Sequence, residues 1–106
     1  MVREVSPTEF KTRLSQDSQV MLLDVREPWE LDIVKLAMAR HIPMNEVPNR
    51  LTEIDPKLMI VVMCHGGVRS LKVAQYLASQ GYPSVANLSG GIAAWQREVD
   101  PTLATY

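Results

Sequence analysis

The 106 residues carry 11 basic and 12 acidic side chains, and 46% of them are hydrophobic. One domain fits that length, wholesale disorder does not fit that composition, and a formal net charge of −1 gives no electrostatic reason to expect nucleic acid or an anionic membrane as partner. A single cysteine excludes an intrachain disulfide and any site needing several thiolates.

The longest apolar run, residues 58–64, is far shorter than the about 20 residues of a membrane-spanning helix. Arg3, Glu4 and Glu9 stand where a signal peptide needs its apolar stretch. The expectation is a reduced, cytoplasmic, monomeric domain.

In chain order, residues 2–5 predict a short edge strand. Ser6-Pro7-Thr8-Glu9 is a helix start, with Ser6 as cap, Pro7 at the first helical position and Glu9 in the capping-box place. Residues 20–23 form a compact apolar run ending at Asp24, which predicts a buried strand. Pro28 opens a short helix through about Ile33, and residues 40–43 predict another short strand. Val47, Leu51 and Ile54 recur at helical spacing, so residues 45–54 predict a helix stopped by Pro56.

Residues 58–63 are continuously apolar and predict a strand covered on both faces. A helix over 70–80 with Gly81 at its end, a strand over 85–88 and a short helix after Ser89-Gly90-Gly91 complete the pattern. The 99–106 tail is expected to run along the surface. Strands alternating with helices predict an α/β sandwich around a mainly parallel sheet, with ligands binding at the carboxyl ends of its strands.

Cys64 lies at such an end. A lone cysteine after an apolar strand is often only a small buried hydrophobe. Here Gly66 and Gly67 follow, which let the backbone curl so that N–H groups converge. Arg69 adds a guanidinium, and the helix start near Ser70 adds unpaired donors. All three favour an anion and lower the thiol's pKa, so the loop reads as a nucleophile in its own anion cradle.

Cys64-His65-Gly66-Gly67-Val68-Arg69-Ser70 resembles the active-site loop of single-domain rhodanese-like sulfurtransferases. Residues 22–30 resemble that family's N-terminal signature, His41-Ile42-Pro43 its glycine-His-Ile-Pro segment, and residues 87–95 its C-terminal signature. The departure is Arg40, which stands where the family has glycine. The resemblance implies one domain over 1–106 with its core at about 4–98: a parallel five-stranded sheet flanked by helices on both faces. It also implies transfer of a sulfane sulfur through a Cys64 persulfide held by the loop residues His65, Gly66, Gly67, Val68, Arg69 and Ser70. The expected donor is thiosulfate or a persulfide, the acceptor cyanide or a thiol, and either partner can be a protein; neither metal nor organic cofactor is expected.

His65 beside Cys64 suggests a general base, but substrate contact is the better expectation because converging amides throw side chains outward. His41 is expected to steady a loop, and Trp29 and Trp95 to pack. Asp24 and Arg26 are candidates for supporting the site, with a structural ion pair as the favoured reading. The rival enzyme is a cysteine phosphatase or arsenate reductase. Those loops hold five residues between cysteine and arginine, whereas this one holds four. A sulfur carrier or interaction module of the same fold, without turnover, stays open.

Overall fold

Five short runs form one sheet in a computed structural model that describes residues 2–16 and 19–106. They are β1 (Arg3–Val5), β2 (Val20–Asp24), β3 (Arg40–His41), β4 (Met59–Met63) and β5 (Val85–Leu88). Every pairing is parallel and the order is β1-β5-β4-β2-β3. The helices are α1 (Pro7–Gln16), α2 (Pro28–Ile33), α3 (Val68–Ser79) and α4 (Gly91–Glu98).

The apolar run of β4 explains why it lies in the middle. Ile60, Val62 and Cys64 join one core with Val73, Ala74 and Leu77 of α3. Val61 and Met63 point the other way, into a second core with Phe10 of α1 and Ile92 and Trp95 of α4. A strand buried on both faces has no need of polar alternation. Phe10 meets Trp95 edge-on at 6.1 Å, which ties α1 to α4. Register does the rest: Asp24 pairs with Met63 and Asn87 with Val62, so Asp24, Cys64 and Asn87 reach the same sheet edge.

Local signals act as their chemistry requires. The Glu9 N–H donates to Ser6 Oγ at 3.1 Å at the start of α1. Gly81 turns with φ +93° after α3, where its N–H finds the Ala78 carbonyl and that of Tyr82 the Leu77 carbonyl.

Residues 45–54 differ from expectation. They form two 3₁₀ turns, Met44–Asn49 and Leu51–Glu53, because Pro48 lies inside the run and has no N–H for an α-helical bond. The Tyr82 hydroxyl lies 2.8 Å from the Ile54 carbonyl oxygen and 3.1 Å from that of Leu51, so its one proton helps to satisfy the end of the second turn. The helix after the cysteine also starts two residues earlier than predicted, at Val68. Among the described residues, no helix is long and apolar enough to cross a membrane.

Candidate active site

Cys64 follows β4 and is only 1% exposed. Its Sγ accepts the Gly67 N–H at 3.1 Å and lies 3.2 Å from Ser70 Oγ. Gly67 caps α3 in the left-handed conformation, φ +105°, which a side chain would resist. Gly66 is different: its φ is not positive and a Cβ there would meet nothing within 4 Å. Of the two glycines expected to curl the loop, only Gly67 is needed for its backbone.

The other half of the cradle comes from α4. The Cys64 carbonyl accepts the Ile92 N–H at 2.9 Å, and the His65 carbonyl accepts that of Ala93 at 3.1 Å. In a planar trans peptide the N–H points opposite to the C=O, so the N–H groups of His65 and Gly66 are turned away from α4. A helix start thus takes up the carbonyls of Cys64 and His65 and leaves the N–H groups of those two peptides facing the other side. Gly91 makes the approach feasible. A Cβ on it would lie 2.3 Å from the His65 oxygen and 2.5 Å from that of Cys64.

Ser70 is fully buried and stands 2.6 Å from Asn87 Oδ1 as well as near the sulfur. Its one proton serves one acceptor at a time. With Cys64 as a thiol, Ser70 donates to Asn87; with a thiolate, the hydroxyl can turn to sulfur. Asn87 Nδ2 also donates to the Gly67 carbonyl at 3.1 Å, joining β5 to the loop. Burial pushes the Cys64 thiol up, but the Ser70 hydroxyl, the Ser70 and Gly67 N–H groups and the Arg69 charge bring it below its usual value. Ser70→Ala is expected to raise it, because one hydrogen bond to the charged acceptor is lost. Alkylation rate against pH checks this, and an unmoved midpoint would show that Ser70 does not sense the thiolate.

Arg69 brings the expected guanidinium, but paired. Its guanidinium grips Glu30 with two bonds, 2.7 and 2.9 Å, and Glu30 is 2% exposed. The Glu27 N–H donates to the same carboxylate at 2.8 Å, as Pro28 and Glu30 build the first turn of α2. The Arg69 bonds, then that Glu27 N–H and Tyr106, outweigh desolvation and lower the Glu30 pKa to about 2 from 4.5. Because the folded value is depressed, the stabilisation is full above pH about 4.5 and is lost as pH falls towards 2. Wild type should lose about 2 kcal/mol more than Glu30→Gln between those limits, measured by urea unfolding, allowing for the exposed side of Arg69. Equal losses would contradict the pairing.

Asp24 and Arg26 form the buried ion pair favoured from sequence, with Arg26 Nη2 2.8 Å from Asp24 Oδ2 and 2.9 Å from the Val34 carbonyl oxygen. Arg26 reaches the loop only indirectly, through Tyr106. His41 Nε2 lies 2.6 Å from the Arg26 carbonyl oxygen, which steadies the β2 exit as expected. Trp95 packs in the core, whereas Trp29 is 59% exposed and packs edge-on against Tyr106 at 6.0 Å. The 99–106 segment runs along the surface as expected, with Val99, Leu103 and Tyr106 partly buried against the core, and the Tyr106 ring stacks on His65 at 4.0 Å. Glu30 and Tyr106 were missed because their partners are distant in sequence. Asn87 lay within a matched signature, but nothing there marked its amide as a loop ligand.

A buried thiol, a left-handed glycine and a helix start packed on the loop's carbonyls agree with a match of residues 6–98 to the rhodanese-like domain family. The chain belongs to that family. A relative from Allochromatium vinosum named "Sulfurtransferase" is 38% identical over 104 residues, covering 98% of this chain and 97% of its own length. The crystal structure of a rhodanese-like domain protein from Staphylococcus aureus superposes with a TM-score of 0.84 at 30% identity, covering 99% of both chains. The NAD-dependent persulfide reductase of A. fulgidus matches with a TM-score of 0.69 and 30% identity over 89% of this chain, which spans 16% of that one. The five-stranded parallel sheet of this rhodanese-like domain is therefore the family's fold, with Cys64 just past the carboxyl end of its central strand.

Proposed function

We propose that this rhodanese-like domain is a sulfurtransferase that moves a sulfane sulfur from thiosulfate or a persulfide donor to a thiophilic acceptor through Cys64. The observation that carries the reading is the Cys64 sulfur itself, accepting the Gly67 N–H at 3.1 Å in a loop whose carbonyls are taken by α4. The family and the relative named "Sulfurtransferase" support it.

The Cys64 thiolate attacks the outer sulfur of thiosulfate, a new S–S bond forms, and the old one breaks with its electron pair leaving on sulfite. The persulfide's terminal negative charge lies among the loop donors, which stabilise it without reorganising. Cyanide or a thiolate then attacks the terminal sulfur, and the bonding pair returns to Cys64. The two half-reactions predict ping-pong kinetics. His65, Gly66, Gly67, Val68 and Ser70 make the cradle, Arg69 closes it, and the Asp24–Arg26 pair supports it indirectly, through Tyr106. The chain contains no second cysteine, so the persulfide cannot resolve as an internal disulfide. Discharge awaits an external acceptor, a small thiol or a protein.

The Arg69–Glu30 pair gives the carrier reading some weight, because a neutralised guanidinium attracts dianionic thiosulfate less than a free one. Steady-state thiocyanate formation from thiosulfate and cyanide separates the two. Saturable turnover supports the transferase; loading by a persulfide donor without thiosulfate turnover supports the carrier.

A further inference from the structure

Residues 99–106 lie outside the stretch that matches the family, yet they reach the catalytic loop. Leu103 packs, partly buried, against the core and the Gln96 amide donates to the Ala104 carbonyl, so the segment is anchored before it arrives. At Tyr106 it makes two kinds of contact. The ring lies flat on the His65 imidazole, 4.0 Å between centroids and 13° from parallel, with Trp29 edge-on at 6.0 Å. The hydroxyl accepts Arg26 Nη1 at 3.0 Å and donates to Glu30 Oε1 at 2.8 Å.

Glu30 is the carboxylate that grips Arg69. One side chain therefore touches the second residue of the loop directly and its sixth through a single carboxylate. We propose, on the reading of Cys64 as the nucleophile, that Tyr106 is a positioning residue for sulfur transfer, clamping the rim side chains His65 and Arg69 in one arrangement around the thiolate. Burial raises the Tyr106 pKa, so at neutral pH the hydroxyl keeps the proton that Glu30 accepts. Without that hydroxyl, Arg26 keeps Asp24 and the Val34 carbonyl. The loss falls on Glu30, and through it on Arg69. Without the ring, His65 loses its platform as well.

The test compares Cys64 alkylation by iodoacetate, an anion that senses Arg69, with alkylation by neutral iodoacetamide, which reports thiolate fraction and access alone. The iodoacetate-to-iodoacetamide rate ratio is expected to fall about twofold in Tyr106→Phe and about fivefold in Tyr106→Ala, as one charge-assisted contact and then both contacts are lost. The thiosulfate KM should rise in the same order while kcat stays within about twofold. A ratio that is unchanged or higher overturns the proposal, even if urea unfolding shows lowered stability, since a purely structural role moves stability alone. Tyr106→Phe keeps the ring and decides the matter by itself if the alanine variant does not fold. Alkylation needs no sulfur donor, so the ratio reads the clamp separately from whether wild type forms a persulfide.

Discussion

Gly91→Ala is expected to lower sulfur transfer about 100-fold while leaving most of the sheet intact, because the new methyl group displaces the loop rather than the core. The carbonyl oxygens of His65 and Cys64 lie 2.3 and 2.5 Å from where that Cβ would sit, both far inside contact distance and both backbone. Gly91 also has φ +63°, which costs an L-residue about 1–2 kcal/mol by itself. Relief requires the loop to lift off α4, breaking the bonds from Ile92 and Ala93 that turn the His65 and Gly66 N–H groups towards the open side. Gly66→Ala is the matched control: it adds the same methyl to the loop itself, into open space. Comparing kcat/KM for the two variants checks the account. Equal activities would mean that the α4 contact does not shape the cradle.

The sequence showed elements with local causes and was blind to pairings between distant elements. Pro28 starts α2 where predicted, and Val85–Leu88 is a strand where predicted. The helix expected over 45–54 failed because its spacing was counted while Pro48, inside it, was not. In the site, Cys64 and Gly67 were legible because thiol and turn chemistry are written in one short loop. What completes the cradle is written elsewhere: the donors Ile92 and Ala93, the amide of Asn87, the carboxylate of Glu30 and the ring of Tyr106. Arg69 shows the consequence. Its charge was read correctly and its partner was not, since a carboxylate 39 residues away carries no local signal.

Cys64→Ser should abolish transfer, lowering the rate at least about 10⁴-fold, because a hydroxyl neither ionises near neutral pH nor forms a persulfide. The fold should barely notice. Cys64 is a small buried side chain beside a hydroxyl and an N–H, so serine can hydrogen-bond in its place, and stability should change by about 1 kcal/mol or less. Substantial residual turnover in a folded serine variant would remove the covalent mechanism.

The loaded intermediate puts the central claim to its most direct test. Intact mass spectrometry of the wild-type chain, incubated with thiosulfate or a persulfide donor and no acceptor, should show the mass of one added sulfur atom. Cyanide should remove that sulfur, and the Cys64→Ser chain should never acquire it. If neither donor adds sulfur to the wild-type chain, Cys64 does not carry sulfur, and the account is wrong at its centre.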